Sequence, residues 1–142
     1  MGINHSFLSL FTIMESTAQE KRNHLTFNNF KEELLNDYKI GWESRHLSYM
    51  GRKEVLNGKA KFGIFGPGVE LAQIAMAKVF NEGDFRSGYY RDQTISYANG
   101  IADLKQMFAQ LYAHADVVHE PHGAGRQMNS HFATRSLDEN GN

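Results

Sequence analysis

A chain of 142 residues has the size of one domain and can bury roughly two thirds of the surface its unfolded form exposes, so a packed core is possible and a large multidomain enzyme is excluded. Hydrophobic residues at 41% and charged residues at 22% lie near globular averages, which argues against a disordered or membrane-embedded chain. With 15 Lys and Arg against 16 Asp and Glu, the net charge of -1 gives no general field for nucleic acid or an anionic membrane, and any anion site must be local. The absence of cysteine removes disulfides, thiolate nucleophiles and cysteine-ligated metal sites, and suits a reducing cytoplasm.

The two ends differ in composition from the middle. Residues 7–14 form an apolar run too short to cross a bilayer, with no basic residue before it and no small-residue cleavage site after it. Gly2 followed by Ser6 matches a loose myristoylation pattern of the kind that arises by chance. Residues 1–25 are expected to be a flexible tail, and residues 26–142 one incomplete domain. From Pro121 onward the chain is polar and glycine-rich, and it stops at a turn signal, Asp138-Glu139-Asn140-Gly141-Asn142. That pattern predicts a segment of something larger.

In chain order, Thr26 precedes Phe30, Leu34, Tyr38 and Trp42 at spacings of four, which predicts a long amphipathic helix from 28 to about 56, stopped near Asn57-Gly58. After Gly66-Pro67-Gly68, the apolar residues Leu71, Ala72, Ala75, Met76, Val79 and Phe80 predict a second helix over 69–80, broad enough in its apolar coverage to be buried. Phe85, Tyr89 and Tyr90 favour a short strand across 84–92, weakened by Gly88. Asp92 can cap a third helical stretch, interrupted at Asn99-Gly100 and resumed through Leu104, Met107, Phe108 and Leu111. One or two short strands do not make a sheet, so the helices either form a bundle or belong to a larger fold.

The densest polar cluster is Arg86-Ser87-Gly88-Tyr89-Tyr90-Arg91-Asp92. Two guanidiniums, a glycine, phenols and free amides at a following helix start are the parts of a phosphate site, although Arg91 pairing with Asp92 while the tyrosines pack explains the same residues. Gly123-Ala124-Gly125-Arg126 offers a second glycine-flanked arginine, Arg126, which in an ordinary connection is simply solvated. His131 can donate or accept a proton near neutrality. His114, His119 and His122 could gather a metal with Glu120, but they lack a helical i, i+4 pair and no metal site is predicted. Gly63, Gly66 and Gly68 do not make a dinucleotide fingerprint, and Glu70 is read as stabilising a helix N-terminus.

Taken in order, YKIGWESR, FGIFGPGVELAQIAMAKVF, DFRSGYYRDQT, LKQMFAQLYAH and GRQMNSHF resemble the α subunit of thiamine-diphosphate-dependent 2-oxoacid dehydrogenases, the decarboxylating first component, and most closely the fused α/β chains. The resemblance covers residues 28 to 142. It implies an α/β thiamine-diphosphate-binding domain, of which this segment is the mainly helical N-terminal part. It further implies that Tyr90 and Arg91, preceded by Tyr89, contact the cofactor diphosphate, and that His131 lies near the opening of the active site. Arg126, in the same GRQM string, is expected to join Tyr89, Tyr90 and Arg91 in binding the cofactor, with His131 as the catalytic residue. Asp92 stands where the family often has His or Glu, and Pro67 and Val69 stand where it more often has acidic residues and Lys or Gln. The family's Mg²⁺ motif, Gly-Asp-Gly and a later Asn, does not occur in these 142 residues.

The resemblance therefore implies a segment that contributes diphosphate contacts and is inactive alone. The remainder of the α region, a β subunit or region, a 2-oxoacid and a lipoyl-bearing acyltransferase would be its partners, with neither nucleic acid nor membrane among them. Two other readings stand beside it. One is a non-catalytic helical module that docks on a partner chain; the other is a small phosphate-binding regulatory domain.

Overall fold

The computed structural model describes residues 26–81 and 83–132, so the expected tail over 1–25 lies outside the described residues. Four helices carry the description: α1 (Phe27–Leu56), α2 (Glu70–Ala77), α3 (Gln93–Ala98) and α4 (Leu104–Leu111). The described residues fall into two units, divided within α1 between Asn36 and Asp37. No helix among the described residues is long and apolar enough to cross a membrane.

Local chemistry sets the helix ends. Thr26 opens α1: its hydroxyl accepts the Asn29 N–H at 3.2 Å and its carbonyl the Phe30 N–H at 3.0 Å. At the other end Gly58, at φ 72°, sends its N–H to Val55 while Lys59 reaches Glu54, the paired bonds that close a helix in a left-handed turn. Gly100, at φ 67°, closes α3 in the same way through Tyr97 and Ser96. A reciprocal capping box between Asp103 and Gln106 starts α4. The helix expected over 69–80 is shorter, ending at Ala77.

Four expectations are corrected. Among the described residues there is no strand; 84–89 is irregular. Asp92, rather than a neighbouring strand, organises this segment, its Oδ2 accepting the Tyr89 N–H at 2.8 Å and pairing with Arg86 at 3.0 Å. That carboxylate is consequently not a side-chain cap for α3. The aromatic stripe of α1 is likewise not the packed face. Tyr38 and Trp42 are exposed, whereas Ser44, Leu47, Ser48 and Gly51 are buried. Small residues let neighbouring chain approach closely, and a Cβ on Gly51 would enter the Phe65 ring. In α2 the buried positions are Glu70, Gln73 and Ile74, with Leu71 and Met76 exposed, so the broad apolar surface predicted to be covered is open.

The apolar core is small. Its buried members are Leu47, Ala60, Ile74, Ile95, Ala102, Met107 and Leu111, and Tyr97, Leu104, Phe108 and Phe132 pack around Leu47, Ala102 and Met107. Beside it runs a buried polar seam: Gln93 Nε2 donates to the Ser44 carbonyl at 2.9 Å and to Ser48 Oγ at 2.7 Å, while Ser44 and Thr94 hydroxyls meet at 2.7 Å. Buried polar groups left without partners cost about 1–3 kcal/mol each, so this seam specifies how α3 sits on the C-terminal half of α1.

Candidate functional site

The turn that carries Tyr89, Tyr90 and Arg91 leads directly into α3 and is fixed from several sides. Gln73 of α2 donates Nε2 to the Arg91 carbonyl at 2.8 Å and accepts the Thr94 and Ile95 N–H groups at 3.0 and 3.1 Å. The Arg91 stem runs over Gly66; a Cβ there would lie 3.0 Å from Arg91 Cβ and closer to Cγ. The Arg91 guanidinium stacks on both tyrosines, 5.5 Å from the Tyr89 ring centroid and 5.2 Å from that of Tyr90. The two rings are themselves 4.0 Å apart.

Charge is distributed unequally within this cluster. Arg86 is the arginine that pairs with Asp92, and it also donates Nη2 to Ser96 Oγ at 3.2 Å. Arg91 is exposed and makes no ion pair among the described residues. The open alternative, an Arg91–Asp92 pair, is therefore not what forms. The Tyr89 hydroxyl bond and partial burial push the Tyr90 phenol above its ordinary range, while the Arg91 charge pulls the other way.

Glu70 is also committed. Arg45 donates Nε and Nη2 to its two oxygens, both at 2.6 Å, and the Gly68 N–H adds bonds of 3.1 and 2.9 Å. The Arg45 fork holds the Glu70 carboxyl down at about 2, and Glu70 in turn raises the Arg45 guanidinium. Glu70 thus steadies the start of α2 and the preceding Gly66-Pro67-Gly68 turn.

A cleft of about 240 Å³ joins two of the sequence strings, lined by Arg86 and Gly88 on one side and His122, Gln127, Ser130, His131 and Phe132 on the other. His131 is held at its backbone by Gln110 of α4, which donates Nε2 to the His131 carbonyl at 3.0 Å and accepts the His131 N–H at 3.2 Å. The His131 Nδ1 lies 3.1 Å from the Asn129 carbonyl, so a neutral ring carries its proton there and keeps the lone pair on Nε2. Asn129 ties the same loop to Ile64, accepting its N–H at 3.1 Å and donating to its carbonyl at 3.0 Å.

The glycine-rich loop before His131 is organised around a carboxylate. Glu120 is fully buried and accepts the N–H groups of His122, Gly123 and Gly125 at 2.9 to 3.1 Å. Those amides face inward on Glu120 instead of forming a phosphate cradle. Arg126 is exposed and does not line the cleft, so sequence brings Arg126 near His131 while the structure brings Arg86 there. His119 pairs with Asp116 at 2.9 Å, and no group of three or more His, Asp or Glu side chains among the described residues is arranged for a metal.

Sequence reasoning passed over Gln73, Gln110 and Asn129 and weighed Glu120 only as a metal ligand; all four are buried side chains that hold these loops. The available signal was weak: Ser44, Ser48 and Gly51 recur at helical spacing, which marks a contact face of small residues.

Fold and site together define a helical segment that presents, on a tyrosine pair, an arginine without an ion pair among the described residues, beside a cleft carrying a histidine. The sequence pattern of the dehydrogenase E1 component family matches residues 44–142, which include all of these groups, and the chain belongs to that family. No curated protein and no solved structure matches the chain.

Proposed function

We propose that the chain is the N-terminal part of the α region of a cytoplasmic 2-oxoacid dehydrogenase first component, of pyruvate or branched-chain type. In this reading it forms the helical side of an α/β thiamine-diphosphate-binding domain whose sheet comes from the remainder of the protein. The observation that carries the reading is the Arg91 guanidinium, without a carboxylate partner among the described residues, preoriented by two tyrosine rings and held on a turn with little freedom. Such a group matches a diphosphate oxygen pair.

Tyr90 and Arg91, with Tyr89 beside them, would hold the diphosphate; Arg126 would take part only through its side chain, because the adjacent amides already bind Glu120. When bound, thiamine diphosphate supplies the carbanion stabilisation that lets a 2-oxoacid lose CO₂. His131 would exchange a proton at Nε2 within the cleft, whose wall also carries the Asp92-paired Arg86. Mg²⁺ would be ligated by the remainder of the α region, the β region would complete the site, and the acyl group would pass to the lipoamide of an acyltransferase. The chain alone is accordingly proposed to be inactive.

Thermal unfolding tests the reading. Thiamine diphosphate with Mg²⁺ should raise the melting temperature of this chain, as any ligand that prefers the folded state does. No shift at millimolar cofactor contradicts the proposal, and robust 2-oxoacid-dependent reduction of an artificial acceptor by the chain alone contradicts its inactivity. A second reading, a non-catalytic module that docks on a partner chain, is supported by the exposed apolar residues Tyr38, Leu71, Val79 and Phe85. It predicts no cofactor effect at all.

A further inference from the structure

We infer that Gln73 is a positioning residue for Arg91, an inference that rests on the diphosphate reading above. Gln73 lies on α2, is buried at 7% exposure, and touches only backbone on the arginine's side of the turn. Its carbonyl oxygen uses both lone pairs, on the Thr94 and Ile95 N–H groups, and its amide nitrogen donates to the Arg91 carbonyl. A carboxamide both accepts and donates in this way, whereas an ionised carboxylate only accepts. One side chain thus locks the residue that carries the guanidinium to the first turn of the helix that follows it.

The direction of Arg91 follows from three constraints of different kinds. Gln73 fixes its carbonyl, Gly66 leaves room for its stem, and the Tyr89 and Tyr90 rings receive its guanidinium. The last is the weakest, since a cation over an exposed ring contributes only about 0.5–1 kcal/mol in general. Without the backbone clamp the two rings hold a mobile arginine poorly, and an anion must then order it on binding. Gln93 provides the internal comparison. It anchors the same turn two residues beyond Arg91, and its side-chain hydrogen bonds go to Ser44 and Ser48 of α1 instead of the Arg91 carbonyl.

The experiment uses the full chain and inorganic pyrophosphate, with the Arg91 Nε–H resonance followed by NMR. In the native chain, stacking on two rings should shift that resonance by ring current. Gln73→Met, similar in volume and without hydrogen bonds, should abolish the ring-current shift and weaken pyrophosphate roughly tenfold. Gln73→Glu keeps both acceptor bonds but loses the donor at neutral pH; it should show the same loss, with recovery when acidification restores an O–H donor. Gln93→Met should lower stability to urea yet leave both Arg91 readouts unchanged. Equal effects of the Gln73 and Gln93 variants, or an unaltered Arg91 resonance in both Gln73 variants, would overturn the inference. A native chain that ignores pyrophosphate, yet releases Arg91 from the rings on substitution of Gln73, supports the positioning role and sinks the diphosphate reading instead.

Discussion

Glu120→Gln is the sharpest probe of the loop that carries Arg126 and leads to His131. Both oxygens of the buried carboxylate are used: Oε1 accepts the His122 and Gly123 N–H groups, and Oε2 accepts those of Gly123 and Gly125. A carboxamide keeps one acceptor and turns the other position into a donor aimed at backbone donors. Whichever way it is oriented, two contacts are lost or made repulsive. Hydrogen bonds to a charged group contribute about 1.5–3 kcal/mol each and buried orphan donors cost a similar amount, so the substitution should destabilise the chain by about 3–5 kcal/mol. That is a large share of the roughly 5–15 kcal/mol available to a domain. Urea unfolding measures it, with the slope checked so that the midpoint reports stability. Amide exchange at Gly123 and Gly125 should accelerate together. A Glu120→Gln chain within about 0.5 kcal/mol of the native one, with unchanged exchange in the loop, would refute the claim that the carboxylate organises it.

Three further outcomes follow from the same structure. Gly66→Ala places a Cβ against the Arg91 stem, not its flexible tip, so Arg91 should leave the tyrosine rings and pyrophosphate affinity should fall several-fold with little change in secondary structure by circular dichroism. Glu70 has a folded value near 2 against an ordinary 4.5, so its contribution is complete above about pH 4.5 and is lost as pH falls towards 2; urea midpoints between pH 6 and 2 should drop, and Glu70→Gln should flatten that part of the curve. Tyr97 is raised from 10 to about 12 by burial and by its hydroxyl bond to Glu43. Its contribution is present below pH 10 and is lost as pH rises towards 12, and Tyr97→Phe should remove that alkaline step in the same assay.

Much of the helical layout was readable from residues whose local chemistry is self-contained. Gly58 and Gly100 mark helix ends because each must adopt a left-handed conformation that other residues resist, and Thr26 marks a start because its hydroxyl meets an orphan amide. The packed faces were harder. Apolar periodicity pointed to the aromatic stripe of α1, but the contact face is built from Ser44, Ser48 and Gly51, whose value lies in close approach and hydrogen bonding to Gln93 and Thr94. Such partners are some fifty positions away and no local pattern announces them. The same holds for the site. The Arg-Tyr-Tyr-Arg-Asp cluster was visible, but which arginine takes Asp92 depends on chain direction through the turn, and Arg86 takes it. The strand expected across 84–92 fails for that reason too, because a carboxylate pulls the backbone into a turn and no neighbouring strand among the described residues offers a ladder.

The claim on which the account depends is that Arg91 supplies a specific hold on a diphosphate. Calorimetric titration of the native chain and of Arg91→Ala, each with thiamine diphosphate plus Mg²⁺ and with thiamine, tests it most directly. The account predicts that the native chain prefers the diphosphate form and that Arg91→Ala loses this preference while keeping its melting temperature. Equal affinity of both chains for thiamine diphosphate, or equal affinity of the native chain for both ligands, would contradict it.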